Sequence, residues 1–343
     1  MTPIPRLSSV FCRAKKLADV AQGRRTTARP PEKMRGTGKM AVAAAGPRRK
    51  KKAAPSHCSP ARFGTKAVTG TCLSRQEIAA VAKVVGVRPP GGGGGLGALL
   101  RRLHDVIGTR PGEEERWANA LLLRPLQSTL SAAFRPAHPA EWTRNPRFWL
   151  SDLDINRVMR QYEHSHGDRF KFVGVFPRDF AKRDVLRRCV SADMCALSAA
   201  SVLAEGRSEF GVVFNMDDHT QRGSHWTALY CCLNPQRRNR YGIWYYDSVA
   251  KPPPKEIQAF MQRIVAEVGA PRFSGHVNTV RRQFENTECG VYSMFFIVAC
   301  ITTGRSFQDL CENLMRDDDA MQKLRAVFFR PPPEAFSNAA RRR

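Results

Sequence analysis

A run of sixteen residues, "CGVYSMFFIVACITTG" (289–304), constrains this chain more than any other feature. It carries no charge and almost no strong polarity. It is too short for a membrane span, which needs roughly 18–20 apolar residues. The run therefore reads as a helix buried in a protein core and ended by Gly304. Polar residues crowd its start: Gln283, Asn286, Thr287 and Glu288. A thiol, Cys289, stands where the polar turn gives way to the buried element. Two readings are open. Cys289 is a small hydrophobe at a helix start, or a nucleophile held at a helix N-terminus.

Three strand-like segments precede the run, "EFGVVFNMD", "HWTALYCCLN" and "RYGIWYYDS". All are rich in β-branched and aromatic residues. "FKFVGVFPRDF" reads as a further strand and turn. Helices flank them. "WLSDLDINRVMRQYE" has Ser151 or Asp152 as cap and Leu153, Ile155, Val158, Met159 and Tyr162 as its apolar face. "CALSAASVLAEG" reads as one helix, and "PKEIQAFMQRIVAEVG" as another, with Pro254 at its start and Gly269 at its end. Strands in the middle and helices on either side predict an α+β domain over residues 126–330.

Upstream, "LSRQEIAAVAKVVGV" has Ser74 and Glu77 in capping-box spacing. "GLGALLRRLHDVIG" places Leu99, Leu100, Leu103, Val106 and Ile107 on or near one face. Residues 72–125 thus read as a small helical subdomain, its two helices joined by the flexible loop "RPPGGGGG". Residues 1–71 are basic and poor in aromatics and carboxylates, and are expected to be disordered. Residues 331–343 are expected to form a flexible basic tail.

The net charge of +26 draws the chain to polyanions. The run Arg48, Arg49, Lys50, Lys51 and Lys52 is the candidate for non-specific DNA or RNA binding, or for a nuclear address; a merely solubilising tail is the alternative. The ten cysteines form no CxxC pair and no tight Cys/His group, so no metal or other cofactor is expected. No secretory signal opens the chain, because residues 1–20 lack an apolar core. These features predict a soluble protein of a reducing compartment, with its cysteines mostly free thiols.

Three polar side chains stand at the edges of buried runs: His225 before "WTALY", Asp247 after "WYY", and Cys289. A thiol reacts as thiolate and needs an imidazole beside it. The imidazole needs a carboxylate to fix its tautomer. Gln283 is placed to donate to an oxyanion, with the backbone N–H of Cys289 as second donor.

"SHWTALY", "YYDS" and "QFENTECGVYSMFFI", in that order, resemble the His-Trp, Tyr-Asp-Ser and Gln…Cys-Gly blocks of the ubiquitin-like-protein (SUMO) protease family. Adenovirus protease belongs to the same wider group. "FWLSDLDINRVMRQYE", "FVGVFPRDF", "FNMDDHTQRGSHW" and "DDDAMQKLRAVFFR" are most similar to its viral branch in large DNA viruses, which includes the African swine fever virus polyprotein protease. The likeness spans roughly residues 72–330. It implies a papain-like, adenain-type core with a mixed sheet. It also implies Cys289 as nucleophile, His225 as general base, Asp247 as its orienter and Gln283 as oxyanion donor. Trp226 would roof a narrow channel for a Gly-Gly substrate, with a viral polyprotein or a ubiquitin-like protein as the partner cleaved. The chain keeps Asp247 where some viral relatives have Asn, and "TECG" stands where many SUMO proteases have Asp-Cys-Gly. A maturation protease of the virion and host cytoplasm (with the nucleus possible), a deconjugating enzyme, and a non-enzymatic DNA-binding core protein are the functions this leaves.

Overall fold

The computed structural model describes residues 57–62, 70–89 and 95–330. The basic run Arg48–Lys52, the tail from Pro331 and most of the pentaglycine loop lie outside the described residues. Helix α1 (Arg75–Val84) begins with both halves of the capping box, Ser74 Oγ accepting from Glu77 N–H while the Glu77 carboxylate accepts from Ser74 N–H. Helices α2 (Leu96–Ile107) and α3 (Gln127–Ala133) pack on it around Ile78, Val81, Leu103, Trp117 and Leu130. Leu130, Ala133 and Phe134, just beyond residue 125, pack in the same cluster. Helix α2 buries Leu99 and Leu103 but leaves Val106 half exposed.

Residues 57–62 were expected to belong to the disordered arm. They pack instead against this unit and the next helix: Ser59 Oγ donates to Gln161 Oε1 at 2.6 Å, and Cys58 is disulfide-bonded to Cys72. Cys189 and Cys195 form a second disulfide. These four depart from the expected free thiols, while five of the nine described cysteines are free. Cys231, Cys232, Cys289, Cys300 and Cys311 are free and buried.

Helix α4 (Asp152–Ser165) is capped by Ser151 and buries Ile155, Val158, Met159 and Tyr162. Leu153, expected on that face, is 60% exposed. Strand β1 (Phe170–Pro177) follows. The segment read as one helix is two, α5 (Ala192–Ala196) and α6 (Ala199–Ala204), because Ser198 caps the second through a reciprocal bond with Ser201. Strands β2 (Glu209–Asn215), β3 (Trp226–Cys232) and β4 (Gly242–Tyr246) come next. Helix α7 (Lys255–Val268) follows, and after it β5 (Gly275–Val277), a three-residue strand with no sequence signal. The apolar run is helix α8 (Cys289–Thr303), closed by Gly304 in the left-handed region. Helix α9 (Asp318–Phe328) is the last of the described elements.

The sheet runs β1-β2-β3-β4-β5. Its three central strands are antiparallel and its outer pairs parallel. One face, with Val213, Ala228, Tyr230, Trp244 and Tyr246, packs on α8, α4 and α9. The other, with Phe210, Val212, Leu229, Ile243 and Tyr245, packs on α7. Helix α8 lies in this core with fourteen of its fifteen residues buried, which is why it shows no polar face. The arrangement is α+β, a mixed sheet between helical layers. At the sheet end away from the start of β3, the fully buried Glu209 carboxylate is ion-paired with Arg237 (2.9 Å) and Arg169 (3.3 Å).

Candidate active site

β3 and β4 are antiparallel neighbours, so the start of one lies beside the end of the other. His225 immediately precedes β3 and Asp247 immediately follows β4. The hairpin alone therefore brings them together: His225 Nε2 lies 2.7 Å from Asp247 Oδ1. Asp247 is 1% exposed. Its carboxylate also accepts the Val249 N–H at 2.9 Å. Its backbone is clamped by Asn278, which accepts from Asp247 N–H (2.8 Å) and donates to Asp247 O (2.7 Å).

α8 packs across β3 and delivers Cys289 to the other side of the imidazole. With Nε2 taken by Asp247, Nδ1 is the nitrogen left for the hydrogen bond to Cys289. Burial acts to lower the His225 pKa, but hydrogen bonds to Asp247 and Cys289, with their charges, outweigh it and raise it from 6.5 to about 9. The imidazolium form thus persists through neutral pH. Cys289 thus stands beside a base and at the N-terminus of a fifteen-residue helix, the two features a nucleophilic thiol needs.

Gln283 is brought to the same place. Its backbone N–H donates to Ser248 O at 2.9 Å, its Oε1 accepts from Ser248 Oγ at 2.6 Å, and its Nε2 donates to Glu285 O at 2.7 Å. The Glu285 carbonyl can only accept, so the end of the amide facing it is the nitrogen. One amide hydrogen remains, and Gln283 lines the cleft with His225 and Asp247. The cleft has a volume of about 690 Å³; Trp149, Lys251 and Phe284 also line it.

Trp226, next to His225, donates its indole N–H to Leu150 O at 3.0 Å. Gly290, next to Cys289, lies directly beneath. A Cβ there would meet Leu150 at 3.2 Å and Trp226 at 3.3 Å, so a larger residue would have to push this pair aside by a few tenths of an ångström.

The structure therefore assembles His225, Asp247, Gln283, Cys289 and Trp226 in one site, and leaves Arg48–Lys52 outside its description. Sequence reasoning missed Ser248, Asn278 and Trp149. Ser248 and Trp149 stood inside quoted segments, but their partners lie far off in the chain; nothing in the sequence marked Asn278.

Residues 213–329 match the Ulp1 protease family, C-terminal catalytic domain. A protein of Acanthamoeba polyphaga mimivirus, described as a thiol protease, is 28% identical over 251 residues, 69% of this chain and 76% of its own length. The SUMO-1 cysteine protease of African swine fever virus is 31% identical over 219 residues, 60% of this chain and 75% of its own. The crystal structure of an African swine fever virus protease shares the fold, with a TM-score of 0.54 at 19% identity, over 81% of this chain and 97% of that one. An identity of 31% across three quarters of a cysteine protease, on the same architecture, leaves one conclusion: this chain belongs to the Ulp1 family of cysteine proteases.

Proposed function

We propose that this protease is an endopeptidase that cleaves after or within Gly-Gly sites, and that viral structural polyproteins are its substrates. The observation that carries the glycine preference is the packing of Trp226. Its indole is tied to the 150 carbonyl and rests on Gly290, one residue from the thiol. Substrate backbone passing this ring toward Cys289 has little room for a Cβ. The viral setting rests on the relatives, which come from large DNA viruses.

In this reading the Cys289 thiolate attacks the carbonyl carbon of the scissile bond. Gln283 Nε2–H and the Cys289 N–H hold the oxyanion of the tetrahedral intermediate. The imidazolium of His225 gives its proton to the leaving amine, and a thioester remains. Water, deprotonated by His225, then hydrolyses the thioester and restores the thiolate–imidazolium pair. Asp247 keeps the ring in place and supports its charge in both steps. Residues 126–330 form the catalytic domain, residues 72–125 a helical annex, and the arm a non-specific tether to DNA or RNA through Arg48–Lys52. The enzyme acts in the virion and host cytoplasm, with the nucleus open to it through the same basic run.

Paired peptides, Gly-Gly-Xaa and Gly-Ala-Xaa, test the reading. At least a ~100-fold preference in kcat/KM for the first is expected, because a misfitting Cβ displaces the reacting carbonyl. Equal rates would overturn the glycine channel. The name of the African swine fever virus relative favours a second reading, deconjugation of a ubiquitin-like modifier. Rapid cleavage of a folded modifier conjugate, with peptides of the same tail untouched, would decide for it.

A further inference from the structure

Gln283 and Cys289 bracket a six-step segment of polypeptide whose ends have to keep a fixed separation if an oxyanion is to sit between them. That segment makes no strand or helix of its own before Cys289. It hangs instead on α9. At the start of α9, Asp318 Oδ2 accepts the backbone N–H groups of Phe284 (2.7 Å) and Glu285 (2.9 Å). Two turns later Arg325 takes hold of the other end. Its Nε donates to Glu288 Oε2 at 2.7 Å and one terminal nitrogen to Thr287 O at 3.0 Å. The second terminal nitrogen donates to Phe148 O at 2.7 Å and Pro146 O at 3.3 Å, and the guanidinium lies 4.5 Å over the Trp142 ring. Arg325 and Glu288 side chains are 4% and 2% exposed, so this is a dry ion pair beside the nucleophile.

We propose that α9 is a brace for the reacting groups, with Asp318 positioning the Gln283 side of the segment and Arg325 the Cys289 side. The proposal rests on the roles given above to Gln283 and Cys289. Its physical basis is the number of fixed directions. A planar guanidinium with all three nitrogens engaged holds Glu288 and Thr287 in one orientation. Through the Phe148 carbonyl, which also accepts from Trp142 Nε1 at 2.9 Å, the same group holds the stretch that carries Trp149 and Leu150. The nucleophile helix and the wall of the cleft are thereby joined at one side chain. Glu288 itself needs the pairing, since a bare buried carboxylate next to Cys289 would oppose a thiolate.

The test uses the full chain with Asp318→Ala, Arg325→Lys and the double change Arg325→Met with Glu288→Gln. Each is compared with the parent in kcat, in KM for a Gly-Gly-Xaa peptide and in the rate of Cys289 alkylation by iodoacetamide, below its own melting temperature. Alkylation needs the thiolate but no oxyanion donor. Asp318→Ala should lower kcat about 10-fold with KM within about two-fold and alkylation unchanged. Arg325→Lys keeps the charge but loses the fork, and should lower both kcat and alkylation about 10–100-fold, the usual cost of a displaced reacting group. The double change removes the buried charge with its partner, so it should melt close to the parent yet keep kcat about 10-fold down. Folded Arg325→Lys and double variants within about two-fold of the parent kcat would overturn the brace. Activity surviving in Cys289→Ala, run alongside, would instead sink the assignment beneath it.

Discussion

Replacing Asp247 with Asn keeps an oxygen in place for His225 Nε2 and removes the charge. The magnitude follows from the contact. At 2.7 Å between a buried carboxylate and an imidazolium, the bond is charge-assisted on both sides. Hydrogen bonds to charged groups contribute about 1.5–3 kcal/mol against about 0.5–1.5 for neutral ones, so the change weakens support of the imidazolium by about 1–2 kcal/mol. At about 1.4 kcal/mol per pH unit, the His225 pKa should fall from about 9 to about 8. The alkaline limb of kcat/KM should move down by the same amount, and activity near neutrality should drop about 5–30-fold. Stability carries the same signature. A histidine raised from 6.5 to about 9 on folding contributes in full below 6.5 and loses that contribution as pH rises through 9, up to about 3 kcal/mol in all. Urea unfolding at pH values on both sides of that window should show the parent losing more stability than the variant. An alkaline limb that stays where it was, or moves upward, would refute the argument that Asp247 supports the charge of His225.

Cys289→Ala should abolish peptidase activity while leaving the melting temperature within a few degrees, which calorimetry and a fluorogenic peptide check together. Gln283→Ala should lower kcat by about 10²–10³-fold with little change in KM; a loss confined to KM would place Gln283 in substrate binding instead. Deleting residues 1–56 should leave peptide cleavage unchanged and abolish retention on DNA cellulose at about 50 mM salt. Retention that survives would move the nucleic-acid site to the folded part. Cys58→Ser should lower the stability measured without reductant by about 3 kcal/mol, since the Cys58–Cys72 bond closes a loop of 14 residues; equal stability with and without the pair would mean the bond is not formed.

The chemistry was legible because each reacting group stands at an end of a strongly patterned element. His225, Asp247 and Cys289 sit where β3 begins, β4 ends and α8 begins, and those three elements are buried almost throughout. The order of the three blocks then carried the family. What stayed hidden depends on distant partners. Ser248 looks like a turn residue until the Gln283 amide is placed beside it. Arg325 reads as one more surface arginine on an amphipathic helix, and only the fold reveals that it points at Glu288. The disulfides join cysteines whose spacing matches no motif. β5 has three exposed residues and exists because β4 offers it an edge.

The central strands β2, β3 and β4 are buried on both faces, so polarity does not tell them which side is inward. A shift of one residue between β3 and β4 would exchange one apolar face for another at modest cost in burial. It would also strand Asp247 in the interior without His225, an unpaired buried charge, and a slip of β2 against β3 would pull Glu209 away from Arg237 at the far end. Two ionic clusters at opposite ends of the sheet thus act as register pins, and one of them is the pair that serves the chemistry. Selection for cutting substrate and selection for a single alignment of these strands fall on the same two side chains. Variants that lose the His225–Asp247 pair should lose uniqueness of the fold as well as activity.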